Sequence, residues 1–128
     1  MDRTIYASDW KVLERLWEES PQTLMQLVHT LSKEVGWSKS TVATMVKRME
    51  AKGLLRFEEG GKARLIHPTL TREEASRSET NGLIDKVFKG NPGLLMASLI
   101  EQSDFSQEEI DELYAMLRKA EEATGKNA

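Results

Sequence analysis

The chain has 128 residues, 39% hydrophobic and 30% charged, with a formal net charge of -3 and no cysteine. That length allows one domain, or one small domain plus an assembly element. No run reaches the roughly 18 apolar residues of a membrane span, and charged residues interrupt any signal-peptide core. Without cysteine there are no disulfides, thiol nucleophiles or cysteine metal sites, so a cytoplasmic protein is expected.

In chain order, Ser8 is expected to cap a first helix over Asp9 to Glu19, with Asp9 in its first turn near the positive helix end. Trp10, Leu13, Leu16 and Trp17 share one face, with Val12 beside them. At this spacing the two tryptophans are read as core, with a ligand cage as the alternative. Ser20-Pro21 breaks the helix, and Thr23 with Gln26 forms a capping box for a second. Leu24, Leu27, Val28, Leu31 and Val35 give its apolar stripe, and Gly36 ends it. His29 has no second ligand at i+4, so no metal site is expected there.

Ser38 or Ser40 caps the third helix, and Gly53 closes it. Val42, Met45, Val46 and Met49 recur at helical spacing. Ser40, Thr44, Lys47 and Ala51 fall on the opposite side, with Ala43 and Arg48 on the flanks. Hydroxyls and cations bond phosphates and base edges, and small residues allow close approach, which is the chemistry of a major-groove reader. An ordinary solvated helix face is the alternative.

Leu55 to Glu58 alternates apolar and polar, Gly60-Gly61 supplies a turn, and Ala63 to His67 returns as a second strand that Pro68 stops. A hairpin directly after a basic third helix is a wing, with Lys62 and Arg64 near its tip. A solvated hairpin is the alternative for this pair, since Glu58 and Glu59 lie opposite.

Thr71 to Glu74 is another capping box, opening a helix to about Lys89 whose first half is polar and whose end carries Leu83, Ile84, Val87 and Phe88. Gly90 to Gly93 is a break, and Leu94 to Ile100 is densely apolar. Ser106 to Glu109 boxes the start of a last helix striped by Ile110, Leu113, Leu117 and Ala120, and the tail from Thr124 is expected to fray. A piece of this size has difficulty burying its own apolar side chains. Two copies burying them together is the reading preferred, using Leu83, Val87, Leu95, Leu99, Ile110, Leu113 and Leu117; a compact monomer is the alternative.

Charge is unevenly placed. From Ser38 to Arg64 there are seven Lys and Arg against three acids, and from Thr71 onward seven against twelve. Beyond a Debye length, about 8–10 Å at physiological salt, the acidic remainder does not cancel the basic segment.

The whole resembles the BlaI/MecI/CopY family, the penicillinase repressors. Asp9-Trp10 with Trp17 is similar to the family's opening. Trp37-Ser38, Thr41, Thr44, Arg48-Met49 and Lys52-Gly53 resemble its recognition helix, and Phe105 to Leu113 its last helix. The resemblance implies a mainly α fold with a small β-hairpin wing. An N-terminal winged helix-turn-helix would span residues 1–70 and a C-terminal helical dimerisation domain residues 71–128. It implies a homodimer that represses transcription from palindromic operators in double-stranded DNA. There are departures. The cysteines of copper-responsive members are missing. Ser40 and Ala43 stand where antibiotic-responsive members often carry Lys and Arg, and Ser98-Leu99 stands at the bond whose proteolysis inactivates those members.

The expected DNA-binding residues are Lys39, Ser40, Thr41, Thr44, Lys47, Arg48, Lys62 and Arg64, with no cofactor, metal, membrane partner or enzymatic activity. The alternatives are a winged-helix module that binds protein without specific DNA binding, and a small-molecule sensor with a ligand between the two domains.

Overall fold

The structure, a computed structural model, describes residues 3–126, the last of them as backbone alone. It divides into two compact units, Met1–Thr80 and Asn81–Ala128. The division falls inside a helix, ten residues beyond the 70/71 boundary expected from sequence.

In the first unit, α1 spans Ala7–Glu18, α2 Leu24–Val35 and α3 Lys39–Ala51. α1 starts earlier than expected, because its cap is Tyr6 and not Ser8. The Asp9 carboxylate accepts the Tyr6 N–H at 2.9 Å and so satisfies one orphan amide of the first turn. α2 opens on the expected box: Gln26 N–H reaches Thr23 Oγ1 at 3.2 Å, and Thr23 N–H reaches Gln26 Oε1 at 2.8 Å. It ends on Gly36 in the left-handed region (φ 70°), a conformation that a Cβ disfavours. Ser38 caps α3 by accepting the Thr41 N–H at 3.2 Å.

Two strands follow, β1 over Leu55–Gly60 and β2 over Ala63–Pro68, paired antiparallel from Leu55 opposite Pro68 to Gly60 opposite Ala63. The two-residue loop is Gly61-Lys62, and only Gly61 takes a positive φ, 80°. A third short piece of sheet was not legible in the sequence. Gln22, after α1, bridges Ile66 through both backbone bonds (2.8 and 3.2 Å). The Gln22 side-chain amide donates to the Arg15 and Glu19 carbonyls, which closes the end of α1.

The apolar stripes meet in one core of Val12, Leu13, Leu16, Leu27, Leu31, Val42, Met49 and Leu54, with Ile66 from the hairpin. Trp10 and Trp17 pack against it half-buried, as expected of core residues, and Trp37 joins them from the connection before α3. The rings of Trp10 and Trp17 meet edge to face at 5.3 Å, and Trp17 Nε1 donates to the Leu70 carbonyl at 2.9 Å.

α4 runs over Arg72–Val87 from the reciprocal cap of Thr71 and Glu74. Ala75 on its first turns is fully buried in the core, which is why the first unit extends past residue 70. Within the second unit, Lys89 and Gly90 reverse the chain at positive φ (53° and 77°). α5 spans Pro92–Gln102 behind an Asn91 cap, and α6 spans Gln107–Lys126 behind Ser106. Thr124 remains helical, its hydroxyl donating to the Ala120 carbonyl, so of the tail expected to fray only residues 127–128 lie outside the described residues. Among the described residues no helix is long and apolar enough to cross a membrane.

Candidate nucleic-acid interface

α3 is held by its back. Val42, Met45, Val46 and Met49 are buried, so packing fixes which way the other side points. Lys39, Ser40, Thr41, Thr44, Lys47 and Arg48 are all exposed. Ser40, Thr44 and Lys47 lie one above another along the outer face. Among the described residues, the side chains of Lys39, Ser40, Thr44 and Lys47 make no hydrogen bond or ion pair. A row of unpaired donors on a rigid helix is available to an external acceptor. Thr41 differs, because its hydroxyl accepts from Ser38 Oγ at 3.1 Å within the cap.

Arg48 is drawn away from this row. Its guanidinium lies 2.9 Å from Met45 Sδ and 3.9 Å from Asp9 Oδ1, although half of the side chain remains exposed. Asp9 itself is fully buried. Its other oxygen accepts from Lys52 Nζ at 2.7 Å and from the Tyr6 amide. Lys52 also donates to the Thr4 carbonyl at 2.8 Å and sits 4.5 Å above the Tyr6 ring. Both cations near the end of α3 therefore face a carboxylate from α1. Counting charge within a window from 38 to 64 cannot see Asp9. The available signal was its register: Asp9 precedes Val12 and Leu13 by three and four residues, so it shares their inward stripe, and a carboxylate there needs a cation.

The wing divides its two cations. Lys62 is exposed in the loop, without an ion pair among the described residues. Arg64 lays its guanidinium over Phe57, 4.9 Å from the ring centroid, and lines the groove between the wing and α3. Glu59 faces Arg64 in the register, and Glu58 lies 3.5 Å from His67 Nε2. Of the two acids on the wing, Glu59 is thus paired across from Arg64 and Glu58 is turned to the histidine. Arg56 is a further exposed cation on β1 that the site expectation omitted.

The expected dimerisation residues have a different environment. Leu83, Val87, Leu99 and Leu117 are 44 to 62% exposed, and Leu95, Ile110 and Leu113 are half-buried. Leu94, Met96, Ile100, Tyr114 and Met116 are also exposed. α5 has no buried residue at all.

A family model described as penicillinase repressor matches residues 5–119. The methicillin resistance regulatory protein MecI of Staphylococcus aureus (strain N315) is 25% identical over 122 residues, covering 93% of this chain and 99% of that protein. The penicillinase repressor of Bacillus licheniformis is 24% identical over 112 residues, covering 88% of each. Among solved structures, the monomeric form of Bacillus licheniformis BlaI in complex with the blaP half-operator superposes with a TM-score of 0.51 at 25% identity, covering 56% of this chain and 87% of that one. With a winged helix whose third helix turns hydroxyls and cations outward, and a match over nearly its whole length, the chain belongs to the penicillinase repressor family.

Proposed function

We propose that this protein is a DNA-binding transcriptional repressor that grips a palindromic operator as a homodimer and blocks transcription by occupying it. The observation that carries the reading is the unpaired outer row of α3, Ser40, Thr44 and Lys47, on a helix whose orientation is fixed by its buried back. Lys39 and Thr41 would contact the groove wall from the helix start. Lys62 would reach phosphate from the wing, and Arg64 and Arg48 would join on leaving their intramolecular partners. BlaI, bound to a half-operator in its solved complex, supports the same use of the same fold here.

The homodimer is supported by the apolar side chains that α4, α5 and α6 leave exposed, Leu83, Val87, Leu99 and Leu117 among them, and the half-buried Leu95, Ile110 and Leu113 complete the proposed seam. A two-fold pair sets two α3 helices about one helical turn of duplex apart, or a multiple of it. The action is binding, in the cytoplasm, without catalysis, metal or cofactor. Footprinting on the promoter upstream of its own gene locates the operator, and gel-shift titration across salt tests the contacts. Lys47→Ala should flatten the salt slope by about 0.9 per subunit, the loss of one phosphate contact. An unchanged slope would remove Lys47 from the interface.

A further inference from the structure

We infer that the cleft between α2, α3 and the wing binds a small amphiphilic carboxylate, and that DNA and this ligand exclude one another. The cleft has a volume of about 670 Å³. That falls within the roughly 300–1,000 Å³ of small-molecule sites. Leu24, Met25, Val46, Phe57 and Ile66 supply apolar walls. Met25 stands 54% exposed beside it, an apolar side chain that the fold does not cover. The charged lining consists of Lys47 and Arg64 against a single acid, Glu50. Arg64 rests on Phe57 at 4.9 Å, so its fork sits at the edge of an apolar wall.

These features select the occupant. Apolar walls favour a ring or short alkyl body, and an excess of cations favours a negative head. A guanidinium takes a carboxylate through two parallel hydrogen bonds, which a neutral hydroxyl does not reproduce. Binding itself needs only the cleft. The exclusion rests on the proposed function, because Lys47 and Arg64 are also the cations offered to phosphate. A carboxylate held by either cation offsets one positive charge and takes the place a phosphate would occupy. Such a ligand releases the operator without proteolysis and without a change in assembly.

The test uses the full chain, labelled with ¹⁵N, and 2-naphthoate as probe. Without DNA, naphthoate should shift the amides of Ala43, Val46, Ala63 and Ile66 saturably. The neutral 2-naphthalenemethanol should bind about tenfold more weakly or worse, the loss of a charge-assisted contact. Met25→Glu places a carboxylate at an exposed wall position, and Arg64→Gln removes the fork. Each should weaken naphthoate by about tenfold while the amide spectrum stays that of the folded chain. Shifts that do not saturate, shifts confined to residues 81–126, or equal affinity for the alcohol would overturn the site. On a footprinted operator duplex, naphthoate should raise the apparent dissociation constant in proportion to its concentration. Duplex and naphthoate bound together with unchanged affinities would overturn the exclusion. A protein that takes naphthoate but binds no duplex would sink the repressor reading and leave the cleft standing.

Discussion

The two halves of this chain solve the problem of apolar burial differently. Among the described residues, every buried hydrophobic side chain lies at or before Ala75. Of the eleven large hydrophobic residues left exposed among those described, nine lie between Leu83 and Leu117. The first unit is a finished object. It has a sealed core, capped helices, a sheet closed by Gln22 and a buried carboxylate matched by Lys52. The second has regular helices, yet their apolar faces are open to water. Capping residues mark where these helices start, but their stability rests on packing of the apolar faces. An identical copy is the occupant proposed for these faces.

The largest expected effect probes that difference. Leu113→Asp should leave the first unit folded and drop the mass measured by light scattering from twice the chain to one chain. A carboxylate left unpaired in an apolar seam costs on the order of 3–5 kcal/mol, and the two-fold axis applies it twice. The same substitution should make the melting of the second unit independent of protein concentration. A variant that remains at twice the chain mass removes Leu113 from the seam.

Asp9→Ala is the counterpart in the finished unit. It strands Lys52, whose side chain is only 13% exposed, and leaves the Tyr6 amide without its acceptor. A loss of about 3 kcal/mol in thermal stability is expected, with the dimer mass unchanged. Adding Lys52→Met should restore part of the loss, because the stranded charge is then gone. If Asp9→Ala melts like the parent, the buried pair does not hold α1 to α3. The same variant frees Arg48 from Asp9, so its salt slope for DNA reports whether Arg48 was being withheld from phosphate.

That cluster marks the limit of sequence reading here. The capping boxes at Thr23, Thr71 and Ser106, the Ser38 cap and the turn glycine Gly61 were legible because each is a local pattern with one cheap geometry, whereas Gly60, expected in the turn, ends β1 instead. The outer row of α3 was legible because it is the complement of a buried stripe. Asp9 with Lys52 spans 43 positions, and Arg64 on Phe57 depends on strand register; neither is a spacing a window can hold. The Gln22 bridge to Ile66 was hidden for the same reason. The boundary at residue 80 was missed because Ala75, a small residue in a polar stretch, packs into the core when Thr71 sets the helix there. Which of the expected site residues are free and which are held by intramolecular partners came only from the fold.

The smallest expected effect concerns how far the second unit depends on its own helix signals. Glu109 accepts the Ser106 N–H at 3.0 Å, while Ser106 Oγ accepts the Glu109 N–H at 3.1 Å. The Ser106 backbone bond, and secondarily its hydroxyl, hold the Glu109 carboxyl below the ordinary glutamate value. A group whose pKa falls on folding stabilises the folded state above its unfolded value, about 4.3, and ceases to do so as pH drops through the folded value. Glu109 is fully exposed, so the effect is small. Glu109→Gln should therefore lower the melting point of the second unit slightly at pH 7, and the gap should close on acidification below about pH 4. Circular dichroism melts at both pH values, at one protein concentration, make the comparison. A gap that persists in acid would mean that the side-chain amide fails in the box for a reason other than charge. A gap much larger than that of an ordinary exposed cap would mean that the start of α6 lies within the seam, and that the second unit is less capable of forming its helices alone than its capping residues imply.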